Sequence, residues 1–293
     1  MDFNKRTISH SVNSGIIERD GYGLQYCIEG TGVSALVIGS AIYYPRTFSE
    51  NLRKHLRLAF VDHRCFGLPP KTGNNSTLEL DVILDDMEYV RKKLDLGRIV
   101  VIGHSGHGYM ALEYAKKYPE HVSHVVLIGH GPDLSLKSHE MAEQYWKNSA
   151  SLERKAALEE NLPQFSKDQI AQLTPSQQFI KQYVLNGPRI WYDYRFDSSP
   201  LWEGVEINVP LFNYVWGTIF RDIDITKGLE KLETPVFLAL GQYDFLIGES
   251  SWDLVIKKFS NINLHIFEQS GHTPQYEEAD LFDQKLLEWL LKF

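Results

Sequence analysis

Cysteine is nearly absent: Cys27 and Cys65 are the only two in 293 residues. So few exclude a disulfide framework, and their separation lacks metal-ligand spacing, so both read as reduced thiols in core or loop. No apolar run approaches the ~18 uninterrupted residues of a membrane span. The opening Met-Asp-Phe-Asn-Lys-Arg-Thr lacks the apolar stretch of a secretory signal, and the expectation is a cytoplasmic protein. Repeats and low-complexity tracts are missing, which excludes solenoids and disordered arrays. Basic residues are in deficit, 30 Lys and Arg against 38 Asp and Glu, and a net charge of −8 repels phosphate backbones and anionic lipid. A small-molecule substrate is expected, with no nucleic acid and no membrane partner; the oligomeric state is left open.

What is present is an ordinary globular composition, 43% apolar and 23% charged, in a length that fits one large domain or a core with one substantial insertion. Around Asp20-Gly21, Leu24, Tyr26 and Ile28 alternate with Gln25, Cys27 and Glu29, the pattern of a half-buried hairpin. Four nearly continuous apolar runs follow, at 35–38, 58–61, 99–102 and 124–128, the signature of parallel strands covered on both faces. Leu80, Ile83, Leu84, Met87, Val90 and Leu94 mark a helix between them, opened by a capping box of Ser76 and Glu79. Another helix starts at Gly106 and ends near Tyr118-Pro119. The rhythm stops after Ile128 and resumes at 235–240, with a helix near 251–259, a strand at 263–267 and a last helix at 279–291. Strands alternating with helices imply a doubly wound, mostly parallel sheet. The expected division is an α/β core of residues 1–131 and 234–293 with a mainly helical cap, residues 132–233, inserted after the sixth strand.

Gly103-His104-Ser105-Gly106-His107-Gly108 follows a buried strand and opens a helix, the setting of a nucleophile elbow. A sharp bend at Ser105 presents the hydroxyl above the strand end, small neighbours make room, and the Gly106 amide points at any oxyanion formed there. By itself, a serine at such a turn is an N-cap. Context changes that reading. A base and an orienting acid are needed downstream in the order acid, then His, and strand 235–240 runs into Asp244 while strand 263–267 runs into His272. Both fall just past strand C-termini, where an open α/β sheet assembles its site. Asp133, past the sixth strand, is a rival orienting acid.

With these residues in place, the chain resembles the α/β-hydrolase-fold serine hydrolases over nearly its whole length. Asp62-His63-Arg64-Cys65-Phe66-Gly67 resembles the family's D-x-R-G-x-G turn after the fourth strand, with Cys65 replacing a Gly. Gly39-Ser40-Ala41 falls where the family carries its oxyanion loop, with Ile38 in place of the usual His. The resemblance implies oxyanion donors at the Gly106 and Ser40 amides, Ala41 being the alternative in a loop of uncertain register. It gives Asp62 and Arg64 a bracing role only. The nearest branches are the proline-iminopeptidase-like and carboxylesterase-like ones, although His107 stands where the elbow's last Gly is usual and neither His-Gly-Gly-Pro-Gly nor G-x-S-W-G occurs here.

His104 and His107 lack a third ligand for a metal, and no metal or cofactor is called for. Tyr43 and Tyr44 follow the oxyanion loop. Nine aromatics between Trp191 and Phe220 supply a cap core, some of which should face Ser105. The expected pocket residues are Tyr43, Tyr44, His107, Trp191 and Trp216. The resulting expectation is a serine hydrolase that cleaves a small ester or amide through an acyl-enzyme on Ser105, Asp244 and His272. A proline-iminopeptidase-like aminopeptidase is the alternative, should Asp193, Asp197, Glu203 or Glu206 turn inward to bind an ammonium. A non-catalytic receptor on the same fold is a second alternative and hydroxynitrile lyase chemistry a smaller one. A serine at the elbow argues against the dehalogenases and epoxide hydrolases of this fold, whose nucleophile is Asp.

Overall fold

The two residues of the first turn, Asp20 and Gly21, both have positive φ, 51° and 82°, as the two-residue turns that match strand twist require. They join β1 (Asn13–Arg19) to β2 (Tyr22–Glu29) as an antiparallel hairpin. The structure, a computed structural model, describes residues 13–70, 78–161, 171–248 and 251–292. Beyond the hairpin lie β3 (Val33–Gly39), β4 (Leu56–Asp62), β5 (Ile99–His104), β6 (Val122–Ile128), β7 (Val236–Gly241) and β8 (Ile262–Phe267). The eight strands form one sheet in the order β1-β2-β4-β3-β5-β6-β7-β8. It is antiparallel at the hairpin and at β2·β4, and parallel from β4 through β8.

The apolar runs explain where each strand sits. All six residues of β5 are buried, as a central strand covered by helices on both faces must be. In β8, at the sheet edge, burial alternates instead, with Ile266 and Leu264 exposed. Parallel neighbours need crossovers, supplied by α1 (Leu80–Lys93) and α2 (His107–Lys117). Consequently β3 to β8 end on one edge, and the chain after each ending brings Ser40, His63, Ser105, His130, Asp244 and His272 to that edge.

Between β6 and β7 the chain forms α3 (Leu136–Ser149), α4 (Leu152–Asn161), α5 (Pro175–Leu185), α6 (Gly187–Ile190) and α7 (Val209–Tyr214), which runs into one π-helical turn, Val215–Ile219. Thr174 and Gln177 cap α5 reciprocally. Buried Arg154 gathers the loop after α6 by donating to the carbonyls of Pro188, Trp191 and Tyr192 at 2.6–2.8 Å. Two local expectations change. Helix α1 begins at Leu80 with Glu79 at its N-cap position and no side-chain cap bond, so Glu79 is not the third residue of a capping box; Ser76 lies outside the described residues. The apolar spacing of Trp252, Val255, Ile256 and Phe259 belongs to turns and a three-residue 3₁₀ helix, Ile256–Lys258. A single helical-type bond, Ile256 N–H to Trp252 O at 2.9 Å, is made there.

Candidate active site

Ser105 has φ +56°, a left-handed conformation that strains a non-glycine residue by roughly 1–2 kcal/mol. Bonds on both of its peptide groups hold it there. Its N–H donates to Ile128 O at 2.8 Å, and its carbonyl accepts from Gly108 N–H at 3.0 Å and from His130 Nδ1 at 2.9 Å. The tight geometry accounts for Gly106. A β-carbon at that position would lie 2.4 Å from the indole nitrogen of Trp216, which the segment between β6 and β7 lays across the elbow.

The loop after β8 brings His272 back over this edge, where its Nδ1 meets Asp244 Oδ2 at 2.7 Å, both side chains 3% exposed. With Nδ1 engaged, Nε2 is the nitrogen left for proton transfer. The other loop aspartate is committed locally: Asp133 Oδ1 accepts from Ser135 N–H and Ser138 Oγ. His272 N–H donates to Ile190 O at 2.6 Å, tying the base loop to α6. Glu277 adds a clamp, its carboxylate accepting from the amides of Gly271, Thr273 and Tyr192. Burial pushes Glu277 up to about 7 against the pull of those donors.

In the loop after β3, Ala41 N–H donates to Asp62 Oδ1 at 2.6 Å. That amide is taken, which leaves Ser40 as the candidate oxyanion donor of the two. Ser40 Oγ accepts from the Ile42 and Tyr43 amides, shaping the loop from within. Asp62, pushed up to about 7 by burial, braces this loop, and Arg64 makes a bidentate pair with Asp86 and reaches Asp20. Ile38 is fully buried in the sheet.

Beneath Ser105 lies a chain of buried hydrogen bonds. Cys65 N–H faces His63 Nδ1 at 3.3 Å, His63 Nε2 faces His107 Nε2 at 3.0 Å, and His107 Nδ1 lies 2.9 Å from Tyr44 Oη and 3.1 Å from His104 O. Tyr44 Oη continues to His104 Nδ1 at 3.1 Å, and His104 Nε2 to His272 O at 2.9 Å. Burial lowers all three imidazoles, His107 to about 4 and His63 and His104 well below their usual value. Their nitrogens are occupied, so neither neighbour of the elbow can serve as its base.

Two cavities meet at Ser105. One, of about 70 Å³, is walled by Tyr43, Tyr44, His107, Phe212 and Trp216 among others. The second, of about 230 Å³, is lined by Ser105, Gly106, His272, Tyr109, His130 and Trp216 among others. Trp191 lines neither; it packs on Phe196 and Tyr276 because α6 is pinned to the base loop. Asp193, Asp197, Glu203 and Glu206 are all exposed and line neither cavity. His63 and His130 were not anticipated. His130 had a signal, since it follows a strand end directly; His63 occupies an unconstrained position of its turn. Among the described residues no group of three or more His, Cys, Asp or Glu is arranged to hold a metal ion. No helix there is long and apolar enough to cross a membrane.

Comparison with known proteins gives four results. The family described as alpha/beta hydrolase fold matches residues 32–279. The chain is 40% identical over 282 residues to the AB hydrolase superfamily protein YclE of Bacillus subtilis, covering 94% of this chain and 98% of that protein. It is 24% identical to the proline iminopeptidase PfmaB of Pestalotiopsis fici, covering 80% and 82%. An esterase from Exiguobacterium antarcticum has the same fold at a TM-score of 0.62 and 18% identity, over 94% of this chain and 98% of that one.

Proposed function

The chain belongs to the alpha/beta hydrolase fold family, and from that premise we propose that it is a serine hydrolase that cleaves a small ester or amide through an acyl-enzyme on Ser105. Ser105 Oγ attacks the acyl carbon while His272 Nε2 takes its proton, and Asp244 holds the imidazole tautomer and stabilises its charged form. The amides of Gly106 and Ser40 receive the oxyanion, each worth ~3–4 kcal/mol in comparable sites. His272 then gives the proton to the leaving group, and water releases the acyl group. Residues 132–233 act as a cap whose aromatic rings roof the smaller cavity.

The observation that carries this reading is the joint one: a strained serine at a strand-to-helix turn and a histidine held by a buried carboxylate, both lining one cavity. Ser105→Ala should keep the fold, measured by its thermal transition, and lower kcat by ~10⁴-fold or more. Unchanged turnover by pure variant would contradict the mechanism. Wild-type protein that binds ligands but turns over none would indicate a receptor.

A proline-iminopeptidase-like activity is the second reading, favoured by the relatives of that name. It needs a carboxylate for the substrate ammonium. The four acidic residues that sequence offered for this point to solvent, so the ester or amide reading ranks first. Proline arylamide, its N-acetylated form and p-nitrophenyl butyrate separate the two. A proline arylamide preference of ~tenfold or more that acetylation abolishes would reverse the ranking.

A further inference from the structure

Among the described residues only Ser105 and Trp216 line both the cavity of about 70 Å³ and that of about 230 Å³. Trp216 is therefore the wall between them. Its place on the chain is unusual: after Tyr214, helix α7 widens into the π-helical turn Val215–Ile219, closed by Phe220 N–H on Val215 O at 2.9 Å. Such turns are rare and concentrate at functional sites. From this one the half-buried indole reaches Gly106, where a β-carbon would meet Nε1 at 2.4 Å. Phe212 stacks on the indole at 3.8 Å, and Phe220 and His107 meet it at 5.0 and 5.3 Å.

The groups of the mechanism proposed above, on which this inference rests, divide across that wall. Ser40, one oxyanion donor, lines the smaller cavity, and Gly106, the other, lines the larger. The carbonyl of a bound ester thus sits at the boundary, with its acyl and alkoxy limbs on opposite sides. His272 decides which limb goes where, because it gives the serine proton to the alkoxy oxygen and lines only the larger cavity. The alkoxy limb belongs there and the acyl limb in the smaller space. Size then sets what each limb can be. A cavity of ~150 Å³ holds a benzene ring; the larger one exceeds that volume and the smaller is about half of it. Pro132, Leu134, Leu246 and Ile247 give the larger cavity apolar side chains. Asp133 lines it too, with Oδ1 accepting from Ser135 N–H and Ser138 Oγ, and its negative charge opposes an anionic limb.

We propose that Trp216 fixes substrate choice by dividing the site, so that the substrate is a short-chain ester of an uncharged, ring-sized alcohol. In the reaction the Ser105 Oγ–acyl carbon bond forms and the acyl carbon–alkoxy bond breaks. The serine proton passes through His272 to the departing alkoxide, giving the free alcohol. Water then enters the vacated larger cavity beside His272, yields the short carboxylic acid and restores Ser105.

The test uses two isomers, benzyl acetate and methyl phenylacetate, which carry the same ring on the alkoxy side and on the acyl side. Their alcohols are closely matched in acidity, and dividing by each ester's rate of hydrolysis by hydroxide removes the remaining difference in reactivity. On the full chain, kcat/KM corrected in this way should favour benzyl acetate by ~tenfold or more, the scale of one misfitted group in a pocket. Trp216→Ala opens one cavity into the other, and the ratio should fall toward one. A merely structural loss would lower both esters alike and leave their ratio where it was. Trp216→Phe keeps a ring against Phe212 and should move the ratio the same way by a smaller factor, which tests the wall even where the alanine variant does not fold; the wild-type pair tests the substrate class with no variant at all. Equal turnover of the isomers, a preference for methyl phenylacetate, or a wild-type ratio in a folded Trp216 variant would overturn the assignment. Fluorophosphonate labelling of Ser105 run alongside keeps the two claims apart. Labelling with a flat or inverted ratio removes only the division of the site, whereas no labelling and no turnover removes the serine mechanism itself.

Discussion

A histidine's role is set by what its second nitrogen does. In the buried chain beneath Ser105, three main-chain groups cannot change their character: Cys65 N–H only donates, and the carbonyls of His104 and His272 only accept. Starting from Cys65, His63 carries its hydrogen on Nε2, so His107 carries its own on Nδ1, which is what the His104 carbonyl also demands. From the other end, the His272 carbonyl requires His104 to carry its hydrogen on Nε2, so Tyr44 donates to His104 Nδ1 and accepts from His107. One arrangement satisfies all three, and in it every imidazole is neutral. An added proton on His63 or His107 would set two N–H groups head to head. These histidines stay uncharged through the neutral range, His107 charging only as pH falls to about 4. His272 is therefore left as the base that accepts the serine proton. His272→Ala should lose the activity outright, whereas His63→Gln and His107→Gln should lower kcat/KM by far less. A loss in either glutamine variant as large as that of His272→Ala would contradict the assignment of the base.

At the scale of elements, the elbow and the segment above it are built against each other. Trp216 lies over Gly106 and stacks on Phe212 at 3.8 Å and 11°, and Phe212 in turn meets Phe179 at 4.8 Å, so a methyl group at 106 is accommodated only by displacing a stacked ring. Gly106→Ala should lower kcat/KM by ~tenfold or more through that clash. Combined with Trp216→Ala, the loss should be smaller than the two single losses multiplied, with a coupling of at least ~1 kcal/mol. Simple additivity, measured by the four-variant cycle, would show that the two residues do not touch in solution. The elbow was legible in the sequence because its small residues sit between a buried strand and a helix. The oxyanion loop was legible only to within one residue: main-chain donors leave no side-chain signature, and the Ala41 bond to Asp62 spans residues far apart in sequence. The turns at 251–259 were read as a helix because apolar spacing over two turns does not distinguish a helix from successive turns that bury the same side chains.

For the whole molecule, a mostly parallel sheet was legible in the continuous apolar runs, its strand order was not, and Trp191 was misplaced. Composition identifies an aromatic cluster but not which ring faces Ser105, since that depends on how α6 docks on the base loop. Stability gathers charges from distant parts of the fold, and these oppose one another. Burial lowers His107 and His130 from 6.5 to about 4, so their share of stability is present above the unfolded value and is lost as pH falls toward 4. Burial raises Asp62 from 3.8 and Glu277 from 4.5 to about 7. Their folded forms hold a proton that the unfolded chain has released, so their share is complete below about pH 4 and is lost as pH rises through 7. The difference between wild type and Asp62→Asn isolates one of these groups. In urea unfolding, the variant should gain roughly 2–3 kcal/mol on wild type between pH 5 and pH 8; a constant difference would mean that Asp62 is ionised throughout. The central claim, a single activated serine, is met most directly by the mass of the protein after treatment with a fluorophosphonate. One adduct located on Ser105, and abolished in His272→Ala, is the predicted result, while an unmodified chain or an adduct on another residue would contradict it.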